Sequence, residues 1–160
     1  MKCNYRGCLK LSWLMCRLGI RRALLQRGLV TWLVTEYLAR REVRMYGLEY
    51  STALLMNLCL HRAGKSQCVP IANSVLEILV KLLVQDLKQV FTLYVKSANQ
   101  FTLCISQINP YVNGALYSLL GNKEINIVAQ DMDIENKIIE KCQVISLESG
   151  VSTKHIMSGL

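Results

Sequence analysis

Apolar residues recur every three or four positions in "GLVTWLVTEYL" (28–38), and the same spacing returns in "NSVLEILVKLL" (73–83). Val30 pairs with Val75, Val34 with Leu79 and Leu38 with Leu83, at a constant offset of 45 residues. That period predicts two helices, each with one buried face. A second pair of amphipathic stretches follows. Tyr50, Leu55 and Leu58 of "LEYSTALLMNLCL" answer to Tyr111, Leu116 and Leu119 of "NPYVNGALYSLL", now at an offset of 61. Self-similarity of this kind is the sequence signature of a stacked helical repeat.

The two offsets differ by 16. Leu38 and Tyr50 are 12 positions apart, whereas Leu83 and Tyr111 are 28 apart. The excess falls in 84–107, where β-branched and aromatic residues accumulate and the helical period fades. This interval reads as an irregular insertion into an established repeat. A long loop, an added hairpin and an extension of the preceding helix are its three alternative forms.

The expected organisation is an N-terminal segment (1–20) without a repeat signature, a repeat region (21–147) and a frayed tail (148–160). Gly64 and Lys65 are expected to end the helix that begins near Leu48, as a glycine stop with a cationic last turn. Asn109 is expected to cap a helix opened by Pro110. Gly114 costs that helix about 1 kcal/mol of propensity, which implies that a neighbour approaches closely there. Helical spacing resumes with Ile127, Ile134, Ile138 and Ile139. The acids Asp131, Asp133 and Glu135 favour a helix start at that point through its dipole.

Composition narrows the class. Of the 160 residues 52% are hydrophobic and 19% charged, with two prolines, a balance that argues for a folded domain. The net charge of +8 is concentrated early: residues 1–50 hold ten Lys/Arg against three acids, and none of the acids precedes Glu36. Such a start suits a solvated helical face, a transit peptide, or an arm attracted to phosphate or lipid. The longest central apolar run, Val75 to Val84, contains Glu77 and Lys81 and is too short to cross a bilayer. A non-transmembrane, intracellular protein is therefore expected.

The side-chain chemistry points away from catalysis. Seven cysteines lack framework spacing and the two histidines stand apart, so neither zinc nor a disulfide scaffold is indicated; buried, reduced thiols are the expectation. "AGKS" (63–66) lacks the opening glycine of a phosphate loop, because Cys59 stands there, and is expected at a helix C-terminus. Cys59 and His61, two apart on a helix, diverge too far to act as a nucleophile and its base. Cys59 is expected in the core and His61 on the surface. No cofactor, metal or small-molecule substrate is implied.

The combination "RRALLQRGLVTWLVTEYL … YSTALLMNLCL" resembles an armadillo repeat. Gly28, Leu29, Val30, Leu33 and Val34 match the glycine and second helix of that family, and Leu54, Leu55, Asn57 and Leu58 its third-helix core. Ala115, Leu116 and Leu119 keep the pattern in the next repeat, where Ser118 replaces the asparagine. "LEYSTALLMNLCLHRAGKSQC" with "INPYVNGALYSLL" is similar to the C-terminal armadillo region of a LisH-bearing, ciliary branch of the family. The resemblance implies an all-α, armadillo-type helical-repeat solenoid fragment of about two repeats plus flanking helices. It also implies a non-enzymatic scaffold with ciliary or centrosomal protein partners at the basal body and centriole, acting in cilium assembly, maintenance and signalling. Nuclear-import members of the family hold extended peptides with a tryptophan one turn before the asparagine. Ala53 and Gly114 occupy that place here, which argues against such a ladder. Asn57 is then expected to bond a neighbouring helix or loop. Asn57, Asn113 and Tyr117 are the candidate protein-binding residues of a concave face. The alternative is a basic helical protein that binds nucleic acid or an anionic membrane surface.

Overall fold

The computed structural model describes residues 18–40, 45–96 and 108–149. Among them the chain is helical throughout, with short turns. The first repeat is α1 (Leu18–Gln26), α2 (Leu29–Leu38) and α3 (Met45–Cys59). The second is α4 (Arg62–Cys68), a single 3-10 turn at Val69–Ile71, α5 (Ala72–Lys96) and α6 (Asn109–Leu120). A third begins with α7 (Lys123–Asp131) and α8 (Ile134–Ser149), so the flanking helices expected after the second repeat start another one.

Like packs on like. α4 stacks on α1, α5 on α2 and α6 on α3, and α8 then stacks on α5. Each helix has an apolar face covered both by the corresponding helix of the next repeat and by other neighbouring helices, which makes the array continuous. All six residues paired at the offset of 45 (Val30, Val34, Leu38, Val75, Leu79 and Leu83) are buried, as are Leu55, Leu58, Leu116 and Leu119. The helical run Arg62–Gln85 has the length and apolarity of a membrane span. Its Val75, Leu76, Leu79, Leu82 and Leu83 instead join the core shared with α2 and α6.

The turns between first and second helices use the same device twice. Gly28, at φ 70°, precedes α2, and its carbonyl accepts from the Trp32 amide at 3.0 Å. Asp133, at φ 53°, precedes α8, and its carbonyl accepts from the Lys137 amide at 3.1 Å. Glycine enters this left-handed region freely; aspartate is among the few other residues that do so. Asp133 also accepts from the Asn136 side chain at 2.8 Å, and Glu135 sits in the first turn of α8, as the acidic stretch implied.

Three expectations are corrected by packing. The helix beginning before Leu48 ends at Cys59, not at Gly64. His61 is extended (φ −100°, ψ 140°) and starts α4, which contains Gly64 and Lys65, so "AGKS" lies inside a helix. A β-carbon on Gly64 would stand 2.0 Å from the Leu58 carbonyl oxygen; the glycine serves a close crossing rather than a stop. Asn109 is the first residue of α6, not its cap: Ile108 is the cap, and its carbonyl accepts from the amides of Tyr111 and Val112, both at 3.0 Å.

Gly114 meets the expectation of a close neighbour, since a β-carbon there would lie 2.7 Å from Met56 Sδ of α3. The interval 84–107 takes, for its first part, the third of its alternative forms: α5 is a single 25-residue helix reaching Lys96, about 37 Å long. Residues 97–107 lie outside the described residues, as do 1–17 and the tail beyond Ser149. In α2, Trp32–Leu38 winds as a π-helix. That winding bonds residue i to i+5 and brings the Trp32 and Tyr37 rings to 5.6 Å between centroids.

Candidate functional site

Asn57, Asn113 and Tyr117 stand on α3 and α6, the third helices of two successive repeats, which pack side by side. Asn57 is half-buried and makes no hydrogen bond among the described residues, so the expected bond to a neighbour is not formed there. Asn113 is half-buried and donates through Nδ2 to Asn109 Oδ1 one turn earlier, at 2.9 Å. Tyr117, four residues on and on the same side of α6, is 86% exposed. An aromatic ring so exposed on a helix whose other face is core is a ready contact for a protein partner.

The positions that would form a peptide-holding ladder are used for packing. Met56 fills the space beside Gly114, where a tryptophan would have to stand. Ser118, at the asparagine position of the second repeat, is buried and donates to the Cys59 carbonyl at 2.7 Å. These contacts lock α6 to α3 and leave no row of amides.

A second constellation was missed by sequence reasoning. α1 and α4, the stacked first helices, flank a cleft of about 640 Å³ lined by Gly19, Arg21, Arg22, Leu25, Gln26, His61, Ala63 and Gln67. His61 is half-buried here rather than a plain surface residue. Its Nε2 lies 2.7 Å from Arg21 Nη1. A guanidinium can only donate, so Nε2 accepts and the ring is neutral with its proton on Nδ1. Burial, and then the Arg21 charge, hold the His61 pKa below its ordinary value. Across the cleft Gln67 Nε2 donates to the Leu25 carbonyl at 2.5 Å. Its Oε1 is buried without a hydrogen-bond partner among the described residues, a deficit of about 1–3 kcal/mol for such a group. The only sequence signal was the Arg21–Arg22 pair in the basic first third; nothing local tied it to residues 40 positions later.

The described cysteines are core residues. Cys59, Cys68 and Cys142 are buried free thiols, and Cys59 Sγ lies 3.9 Å from Cys68 Sγ. The hydrogen bond with Cys68, together with burial, pushes the Cys59 thiol far up, so it stays protonated and unreactive. Among the described residues no group of three or more His, Cys, Asp or Glu is placed to hold a metal ion.

The family model for "LisH domain-containing protein ARMC9, ARM repeats" matches residues 24–103 and 102–160. The two matched segments meet inside the interval where the offset changes. The chain is 38% identical over 120 residues to the LisH domain-containing protein ARMC9 of Bos taurus and, equally, to that of Homo sapiens, and 37% identical over 123 residues to that of Danio rerio. These matches cover 74–75% of this chain but only 12–15% of the relatives' own length. No solved structure matches.

Proposed function

The chain belongs to the armadillo-repeat family of LisH domain-containing protein ARMC9, and from that premise we propose that it is a non-enzymatic scaffold segment of a ciliary complex at the basal body. The observation that carries the scaffold reading is the stacking of α1, α2 and α3 on α4, α5 and α6. Such an array holds side chains from successive repeats at fixed spacing along an extended surface, the arrangement on which solenoids recruit proteins. Tyr117, with Asn57 and Asn113, is the proposed contact on the third helices. The ciliary location rests on the resemblance of "LEYSTALLMNLCLHRAGKSQC" and "INPYVNGALYSLL" to the LisH-bearing ciliary branch.

Proximity labelling with the tagged chain in ciliated cells tests the reading. Enrichment of basal-body proteins is expected, reduced by Tyr117→Ala at equal expression. Diffuse cytosolic or mitochondrial labelling overturns the ciliary assignment. Recovery of partners should also survive high salt, whereas a phosphate-driven interaction weakens steeply as salt rises.

A further inference from the structure

We propose that the cleft between α1 and α4 is a binding site for an acidic peptide segment of a partner protein. It lies between first helices, away from the third-helix surface that carries Tyr117, and it deepens the scaffold reading by naming a ligand chemistry. It rests on that reading only in that the ligand is a protein segment.

Three features of the lining select the ligand. The first is charge: Arg21 and Arg22 both line the cleft and no carboxylate does. Arg22 is exposed and makes no ion pair among the described residues, so its guanidinium is open to a bidentate carboxylate. The His61 bond orients Arg21 at the wall, and an oriented cation loses less freedom on binding than a mobile one.

The second feature is the buried Gln67 Oε1. The bond from Nε2 to the Leu25 carbonyl ties α4 to α1, and Oε1 is sealed from solvent, so no exposed Gln67 oxygen repels an incoming carboxylate. A peptide supplies a side-chain carboxylate for Arg22. The third feature is the apolar part of the wall, Leu25 with Ala63, against which an aliphatic side chain of the same peptide packs. The volume falls within the ordinary range of ligand clefts. Phosphate groups on a planar membrane answer the charge but do not enter a concave cleft between two helices, so the peptide is the better fit.

Fluorescence anisotropy with the full 160-residue chain tests this, using a labelled peptide of alternating leucine and glutamate. Saturable binding is expected, with a lysine-for-glutamate peptide failing to compete. Arg22→Glu should weaken binding at least tenfold, and Gln26→Lys, which adds a cation to the rim, should tighten it. Lys137→Glu makes the same charge change at an exposed position of α8 and should leave affinity within about twofold, which separates the cleft from general attraction to a basic protein. Circular dichroism verifies folding, and Arg22→Gln replaces Arg22→Glu if the latter is unstable. Equal weakening by Arg22→Glu and Lys137→Glu overturns the proposal. So does the absence of saturable peptide binding, or binding to phosphatidylserine vesicles but not to the peptide. A failed ciliary labelling experiment with intact peptide binding removes the location and leaves the cleft.

Discussion

The Ser118 hydroxyl donates to the carbonyl oxygen of Cys59 at 2.7 Å, across the boundary between two repeats. Cys59 is the last residue of α3, and carbonyls at a helix end have no partner within the helix. Serine, at a position where the repeat pattern has asparagine, thus closes the end of the preceding repeat's third helix. Ser118→Ala should lower stability by about 1–3 kcal/mol, because the buried acceptor loses its donor. Urea denaturation measures this; a loss below about 0.5 kcal/mol would mean that the bond contributes little to holding the repeats together.

Gly64 and Gly114 both sit at close helix contacts, yet alanine should affect them unequally. At Gly64 the added carbon meets backbone, the Leu58 oxygen at 2.0 Å. Relief requires α4 to move away from α3, and a loss of about 3 kcal/mol or more is expected. At Gly114 it meets the end of Met56, a flexible side chain. Turning Met56 aside offsets the gain of about 1 kcal/mol in helix propensity, so Gly114→Ala should be nearly neutral. Parallel thermal melts of the two variants check the contrast.

The left-handed residues before α2 and α8 predict a second contrast. Gly28→Ala puts a β-carbon at φ 70° and should destabilise by about 1–2 kcal/mol. Nothing crowds Gly28 within 4 Å, so the whole loss is conformational. Asp133→Gly removes backbone strain and the contact with Asn136 together, and should change stability by less than about 1 kcal/mol. Denaturant midpoints of the two variants, with the slope unchanged, are the measure.

His61 makes stability depend on pH. Its folded pKa is lowered from 6.5, so between the two values the unfolded chain binds more protons and stability rises with pH. The contribution is complete above about pH 6.5 and is lost as pH falls through the folded value, where a charged His61 faces Arg21 and can no longer accept its hydrogen bond. Melting temperature should therefore drop on acidification from about pH 7.5 to about pH 5. His61→Gln, which does not titrate, should flatten that part of the profile. An unchanged slope in the variant would assign the acid sensitivity to other groups.

Much of the fold was legible in the chain because helical periodicity is a local property. The spacing of Val30, Val34 and Leu38, repeated at Val75, Leu79 and Leu83, specifies a buried stripe whatever covers it, and two offsets exposed the repeat and the change of spacing inside it. Gly114 could be read as a close contact for the same reason: a residue that weakens its own helix implies an outside cause.

What covers each stripe was not local, and there the tertiary structure decided. A glycine near a helix end signals a stop as readily as a crossing, and only the approach of the Leu58 carbonyl to Gly64 separates the two. Asn109 and Pro110 start a helix in either register, and only the packed chain makes Ile108 the cap. The cleft needed more still. Arg21 and His61 are 40 residues apart and carry no common pattern, and they meet because α1 and α4 occupy the same place in successive repeats.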